Sequence, residues 1–164
     1  MKKIIAAIVG IVFVDQLFKG FLLSLVAGGW HLSGDAFSLV PNPYMMWRVT
    51  SWFNIVFTWN PGTAFSILRE ASSLLLIFLT GAVIGYLSYL LFARIKNCME
   101  KAAMALVVGG AIGNLIDRVR FGAVIDFIDW HIGTWHWPAF NIADICICLG
   151  VGLYILYFLI QRKK

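Results

Sequence analysis

Four apolar stretches, at about 4–28, 72–93, 102–118 and 139–160, limit this chain to few architectures. A helix needs about 20 apolar residues to cross the hydrocarbon core of a bilayer, and there every backbone N–H and C=O must be satisfied within the chain. Three stretches meet that length. The stretch at 102–118 is short, a deficit relieved if Asn114 to Arg118 sits at headgroup level and reaches water by snorkelling. With 61% hydrophobic and 13% charged residues, the composition excludes an ordinary soluble domain. The expected fold class is integral membrane and mainly α, one membrane domain over 1–164 with four transmembrane helices. The opening "MKK" suits a cleavable signal peptide, but the apolar run is too long and shows no small-residue cleavage site before Asp15, so it reads as an anchor.

Basic residues in short loops stay on the cytoplasmic side. Lys2, Lys3, Arg94, Lys96, Lys101, Arg162, Lys163 and Lys164 flank one side with a single acid, Glu100. Arg48, Arg69, Arg118 and Arg120 flank the other, against Asp35, Glu70, Asp117, Asp126 and Asp129. Both termini are therefore expected inside, with 29–71 and 119–138 outside. The net charge of +5 reports this topology, and no nucleic-acid partner is needed to explain it. Cys98, Cys146 and Cys148 contain no CxxC pair, and His131 and His136 lack an HExxH arrangement. No metal or cofactor is implied, and the histidines read as interfacial residues beside Trp130, Trp135 and Trp137 in an aromatic belt.

The outer segments carry their own signals. Residues 29–46, with "PNP", read as a loop, and 29–50 as a whole is long and irregular. "VTSWFNIVFTW" from Val49 to Trp59 is β-branched and aromatic, "NPG" breaks it and "TAFSI" resumes, which predicts a strand-turn-strand element over about 49–66. "RFGAVIDFIDWHIGTWHW" alternates apolar and polar residues below spanning length and predicts an interfacial helix, loop or re-entrant piece.

Three polar groups stand at or in the apolar spans, where ionisable residues are costly. Asp15 and Lys19 are four apart on one helix face and can neutralise one another, as a structural ion pair or as support for an active site. Asn114 and Asp117 share a face at the end of the third span, while Arg118 is turned about 100° away and can snorkel to phosphates. Asp144 falls one to two turns inside a fourth helix that begins near Pro138, where a lone carboxylate must stay protonated or find a partner. Asp126 is the expected partner. Two carboxyls sharing a proton make an acid and a base able to activate water.

The motifs "DQLFK", "NPGTAFS", "GGAIGNLIDR", "VIDF" and "AFNIAD", in this order over nearly the whole chain, resemble the bacterial lipoprotein signal peptidase family. The resemblance implies an aspartic endopeptidase of the bacterial cytoplasmic membrane, with its active site toward the outer face. It would remove the signal peptide from diacylglyceryl-modified prolipoproteins by cutting before the lipidated cysteine. It places the catalytic pair on Asp126 and Asp144. Asn60 and Gly62 fall on the outer-surface motif, Asn114, Asp117, Arg118, Asn141 and Ala143 on positions that line or brace the site, and Asp15 and Lys19 on the first-span pair. Its partners would be lipid-modified prolipoproteins and membrane lipids, its state a monomer, and its cofactor none. The rival readings are a small proton-coupled transporter or channel using Asp15, Lys19, Asp126 and Asp144 as a relay, and a non-catalytic assembly subunit.

Overall fold

The computed structural model describes residues 1–27, 45–62 and 69–162, the side chains of 69–73 excepted. Most of the irregular 29–50 segment and the "TAFSI" continuation after the "NPG" break lie outside the described residues. Four helices are long and apolar enough to cross a membrane. They are α1 (Lys2–Ala27), α2 (Arg69–Tyr89, running into a π-helical turn Leu90–Arg94), α3 (Cys98–Phe121) and α4 (Ile142–Gln161).

The helix at the centre is α3, which buries Ala103, Met104, Ala105, Val108, Gly109, Gly110, Gly113, Asn114, Asp117 and Phe121. Elsewhere Phe13, Phe18 and Phe21 on α1, Phe78 on α2 and Phe158 on α4 face outward, as helices surrounded by lipid require. The third helix is longer than its apolar core implies. Asn97 caps its start, accepting from the N–H groups of Met99 (2.8 Å) and Glu100 (3.4 Å), and its polar end is held between neighbouring elements. Small residues set how closely it packs. A Cβ on Gly110 would collide with the Ala143 carbonyl oxygen and lie 2.8 Å from Ile147, so the backbones of α3 and α4 touch there.

A four-stranded antiparallel sheet covers one end of the helices, in the order β1 (Met45–Arg48), β2 (Phe53–Asn60), β3 (Val124–Ile132) and β4 (Trp135–His136). The β1–β2 hairpin turns at 49–52, where the Val49 and Thr50 N–H groups donate to the Phe53 carbonyl, and the continuation expected after the "NPG" break lies outside the described residues. Two expectations are corrected. The "VIDFIDWHI" run is strand β3, not an interfacial helix. Its alternation is satisfied by pairing with β2, so that Ile125 and Phe127 join Phe57, Phe121, Leu22 and Leu23 in one core. The fourth helix begins at Ile142, because Phe140 is occupied in a bridge to Ile128 (Ile128 N–H to Phe140 O, 2.8 Å; Phe140 N–H to Ile128 O, 3.1 Å). Asp144 accordingly sits in the first turn of α4, not one to two turns along it.

The α3–α4 contact makes a paired prediction. Gly110→Ala should cost about 1–3 kcal/mol by overpacking. Gly152→Ala on α4, whose Cβ would meet nothing within 4 Å, should be neutral or stabilising. Thermal unfolding of both variants in one detergent measures the difference.

Candidate active site

The site grows from a buried lysine. Lys19, 1% exposed, reaches Asp15 at 2.8 Å and Asp117 at 2.9 Å and donates to Asn114 Oδ1 at 3.1 Å. A buried ammonium needs acceptors for all three N–H groups, and two carboxylates and an amide supply them. Asp117 is completed by Gln16 Nε2 at 2.8 Å and by the Ile125 N–H at 3.2 Å. That last bond ties α3 to the start of β3 across the turn at Gly122, whose φ of 74° ends the helix. Asp15 accepts from the Ala143 N–H at 3.0 Å, placing a carboxylate at the positive end of α4.

Asn114 passes this arrangement on. The lysine fixes the amide with its oxygen toward Nζ, so its nitrogen faces Asp144 and donates to Oδ1 at 2.8 Å. The other Asp144 oxygen accepts from the Asn141 backbone N–H at 3.2 Å, and Asn141 Oδ1 accepts from the Asp144 N–H at 3.0 Å, a reciprocal capping box. The Asn141 side-chain nitrogen lies 2.7 Å from Asp126 Oδ1. One residue, fully buried, therefore contacts both carboxylates.

Asp126 comes from β3, opposite Thr58 on β2. Its second oxygen accepts from Asn60 Nδ2 at 2.9 Å, while Asn60 Oδ1 accepts from the Gly62 N–H at 2.9 Å and so orients the amide. Gly62 has a φ of 84°, and a Cβ there would lie 2.8 Å from Leu76, which makes glycine the residue that fits. Burial pushes the Asp126 carboxyl up to about 7; the Asn60 bond pulls it down, and the Asp144 charge raises it further.

Thus Asp15, Lys19, Asn60, Asn114, Asp117, Asp126, Asn141, Ala143 and Asp144 form one connected array, with Gly62 at its rim. Arg118 lies beside this array. Asp117 is held by Lys19 and Gln16, and the buried Arg118 Nε has no hydrogen-bond partner, while Asp144, Asp117 and Asp126 lie within Coulombic reach of its guanidinium.

Two features escaped the sequence reading. Gln16 donates to Asp117, to Gly113 O (3.1 Å) and to Asp15 (3.3 Å), and accepts from Arg120 (3.2 Å). A glutamine inside an apolar span beside Asp15 was the available signal. The other is a second acid on β3, Asp129, which accepts from Asn54 at 2.7 Å and pairs with His136 at 2.9 Å. Burial works against the Asp129 carboxylate, but the bonds from Asn54 and His136 outweigh it and hold the group below its usual range. Asn54 and Asp129 face each other across β2 and β3, beyond a register shift that separates this pair from the Thr58–Asp126 pair.

Replacing Lys19 by Met should leave Asp15 and Asp117 uncompensated, at about 3–5 kcal/mol for a broken buried pair. The double variant Asp15→Asn, Lys19→Met should be less destabilised than Lys19→Met alone. Melting temperatures of the two in detergent decide it, and a double variant worse than the single would remove the ion-pair explanation.

A family model described as signal peptidase (SPase) II matches residues 7–160. The lipoprotein signal peptidase of Syntrophus aciditrophicus (strain SB) is 40% identical over 157 residues, covering 89% of this chain and 97% of that protein. That of Anaplasma phagocytophilum (strain HZ) is 36% identical over 167 residues, covering 99% and 97%. A bacterial membrane enzyme structure obtained by the in meso method at 2.3 Å resolution superposes with a TM-score of 0.77 at 29% identity, covering 99% of this chain and 90% of that one. The order of the helices and sheet, the polar array between them and these matches over nearly the full length lead to one conclusion: the chain belongs to the signal peptidase II family.

Proposed function

We propose that the chain removes signal peptides from lipid-modified prolipoproteins, cutting before the lipidated cysteine, with Asp126 and Asp144 as an aspartic catalytic pair. The observation that carries this reading is Asn141, which donates from its side chain to Asp126 and from its backbone to Asp144, so that a strand and a helix present two carboxyls to one place. Asp126, raised to about 7, holds a proton at neutral pH a good part of the time and loses it readily, the property of an effective acid-base group. In the proposed step Asp144 takes a proton from the attacking water, and Asp126 donates its own to the scissile carbonyl oxygen. The tetrahedral intermediate then collapses as Asp144 passes its proton to the leaving amine and Asp126 recovers a proton from the intermediate's hydroxyl, which leaves both groups as they began. Asn60, Asn114 and Asn141 hold the carboxyls in place, and the Arg118 guanidinium beside them is the cation assigned to a substrate carbonyl or a lipid headgroup.

The orientation proposed is that of the basic residues. The starts of α1 and α3 and the ends of α2 and α4 carry Lys2, Lys3, Lys101, Arg94 and Arg162 and face the cytoplasm; the sheet and the site face outward in a bacterial inner membrane. The relay alternative is less favoured by the packing. One turn below Asp15, Gly109 packs against Ile11, an apolar step in the α1–α3 contact that carries no titratable side chain.

Asp126→Asn and Asp144→Asn should each abolish cleavage of a lipidated prolipoprotein peptide while leaving the protein folded, and near-native activity in either would remove that residue from the pair. The raised acidity constant gives a second readout. Native protein keeps the Asp126 proton that unfolded chain loses, so stability from this group is present below about pH 4 and is lost as pH rises through about 7. Asp126→Asn should therefore flatten the fall in melting temperature between pH 5 and 8, and an unchanged slope would reassign the titration. Gly62→Val should reduce turnover strongly with the fold retained, since it misplaces the Asn60 amide.

A further inference from the structure

The contact between α1 and α3 is a parallel row in which each α3 residue stands 98 positions beyond its α1 partner. Lys19 meets Asp117, Asp15 meets Gly113, and Ile11 meets Gly109. Toward the helix starts the row opens, and Ala7 and Ala105, then Lys3 and Lys101, border the same groove. All four line a groove of about 380 Å³ between the starts of the two helices, with Cys98 at its rim and Ile4, Ile11, Ala102 and Leu106. At one end of the row a lysine faces an aspartate. At the other, two lysines border one groove.

Like charges bordering one groove repel unless an anion stands between them. Neither Lys3 nor Lys101 forms an ion pair among the described residues, and Glu100, the acid nearby in sequence, is not part of the groove lining. Both lysines lie in the first turns of their helices, where the backbone dipoles add positive potential. Apart from the lysines and Cys98 the groove is lined by Ala, Ile and Leu, which suits a hydrocarbon chain and not a hydrated ion.

We propose that this groove binds one anionic phospholipid, its phosphate between Lys3 and Lys101 and an acyl chain along Ala7, Ile11, Ala102 and Leu106. The site lies at the opposite end of the α1–α3 row from the carboxylates, and its occupancy would clamp the two helices that carry Lys19 and Asp117.

The test uses the full chain, stripped of lipid in detergent and mixed with phosphatidylglycerol or phosphatidylcholine, with bound lipid counted by native mass spectrometry and stability read as melting temperature. Phosphatidylglycerol should be retained about tenfold or more over phosphatidylcholine and should raise the melting temperature. The pair Lys3→Gln, Lys101→Gln should abolish the preference, and the charge-matched control Lys2→Gln, Lys96→Gln should keep it. Ala102→Leu, which fills the groove and leaves both charges, should weaken retention of phosphatidylglycerol. Equal retention of the two lipids, loss in the control pair as large as in the test pair, or an undiminished Ala102→Leu overturns the proposal. So does inorganic phosphate that reproduces the thermal shift alone, since the groove would then have no part.

Discussion

The Lys19 ammonium, buried between α1 and α3, is the interaction on which the site depends. A charge without access to water must be matched closely, and the match draws on three places: Asp15 one turn back on its own helix, and Asp117 and Asn114 on α3. Each partner has a second task. Asp15 binds the first turn of α4 at Ala143, Asp117 binds the first residues of β3 at Ile125, and Asn114 binds Asp144. One cation therefore sets the relative placement of three helices, a strand and a carboxylate.

Much of this was legible in the sequence, because the physics behind it is local. An apolar run of spanning length has few alternatives to a membrane helix, and polar residues inside such runs stand out: Asp15, Lys19, Asn114, Asp117 and Asp144 all enter the array. The sheet was less legible, since β-branched and aromatic residues suit a strand and an interfacial position equally. Nothing local in "VIDFIDWHI" says that β2 will pair with it across some 70 residues, and without that partner its alternation fits several structures. The start of α4 was misplaced for a related reason. Pro138 is a good first-turn residue, but the long-range bridge at Phe140 holds the chain extended until Asn141 can cap the helix. Gln16 was hidden by its neutrality: a charge in a span demands a partner, whereas an amide draws less notice until its bonds to Asp117 and Arg120 are seen.

Moving the start of α4 changes what Asp144 is. A carboxylate two turns into an apolar helix would have to stay neutral or find a cation. At the third residue of the helix, it instead accepts the Asn141 N–H and lies in the favourable field of the helix start. Asp126 has no such support, because a strand has little net dipole, and it relies on two side-chain amides while burial works against its charge. The two carboxyls are therefore unlike in environment as well as in origin, and in the proposed step that difference divides acid from base. Asn141 joins them with hydrogen bonds of fixed direction: its oxygen is taken by the Asp144 N–H, so its nitrogen must face Asp126. Aspartate at 141 could accept the same cap bond but would turn a third carboxylate toward Asp126. The amide is needed there because it can cap a helix with one end and donate to an acid with the other.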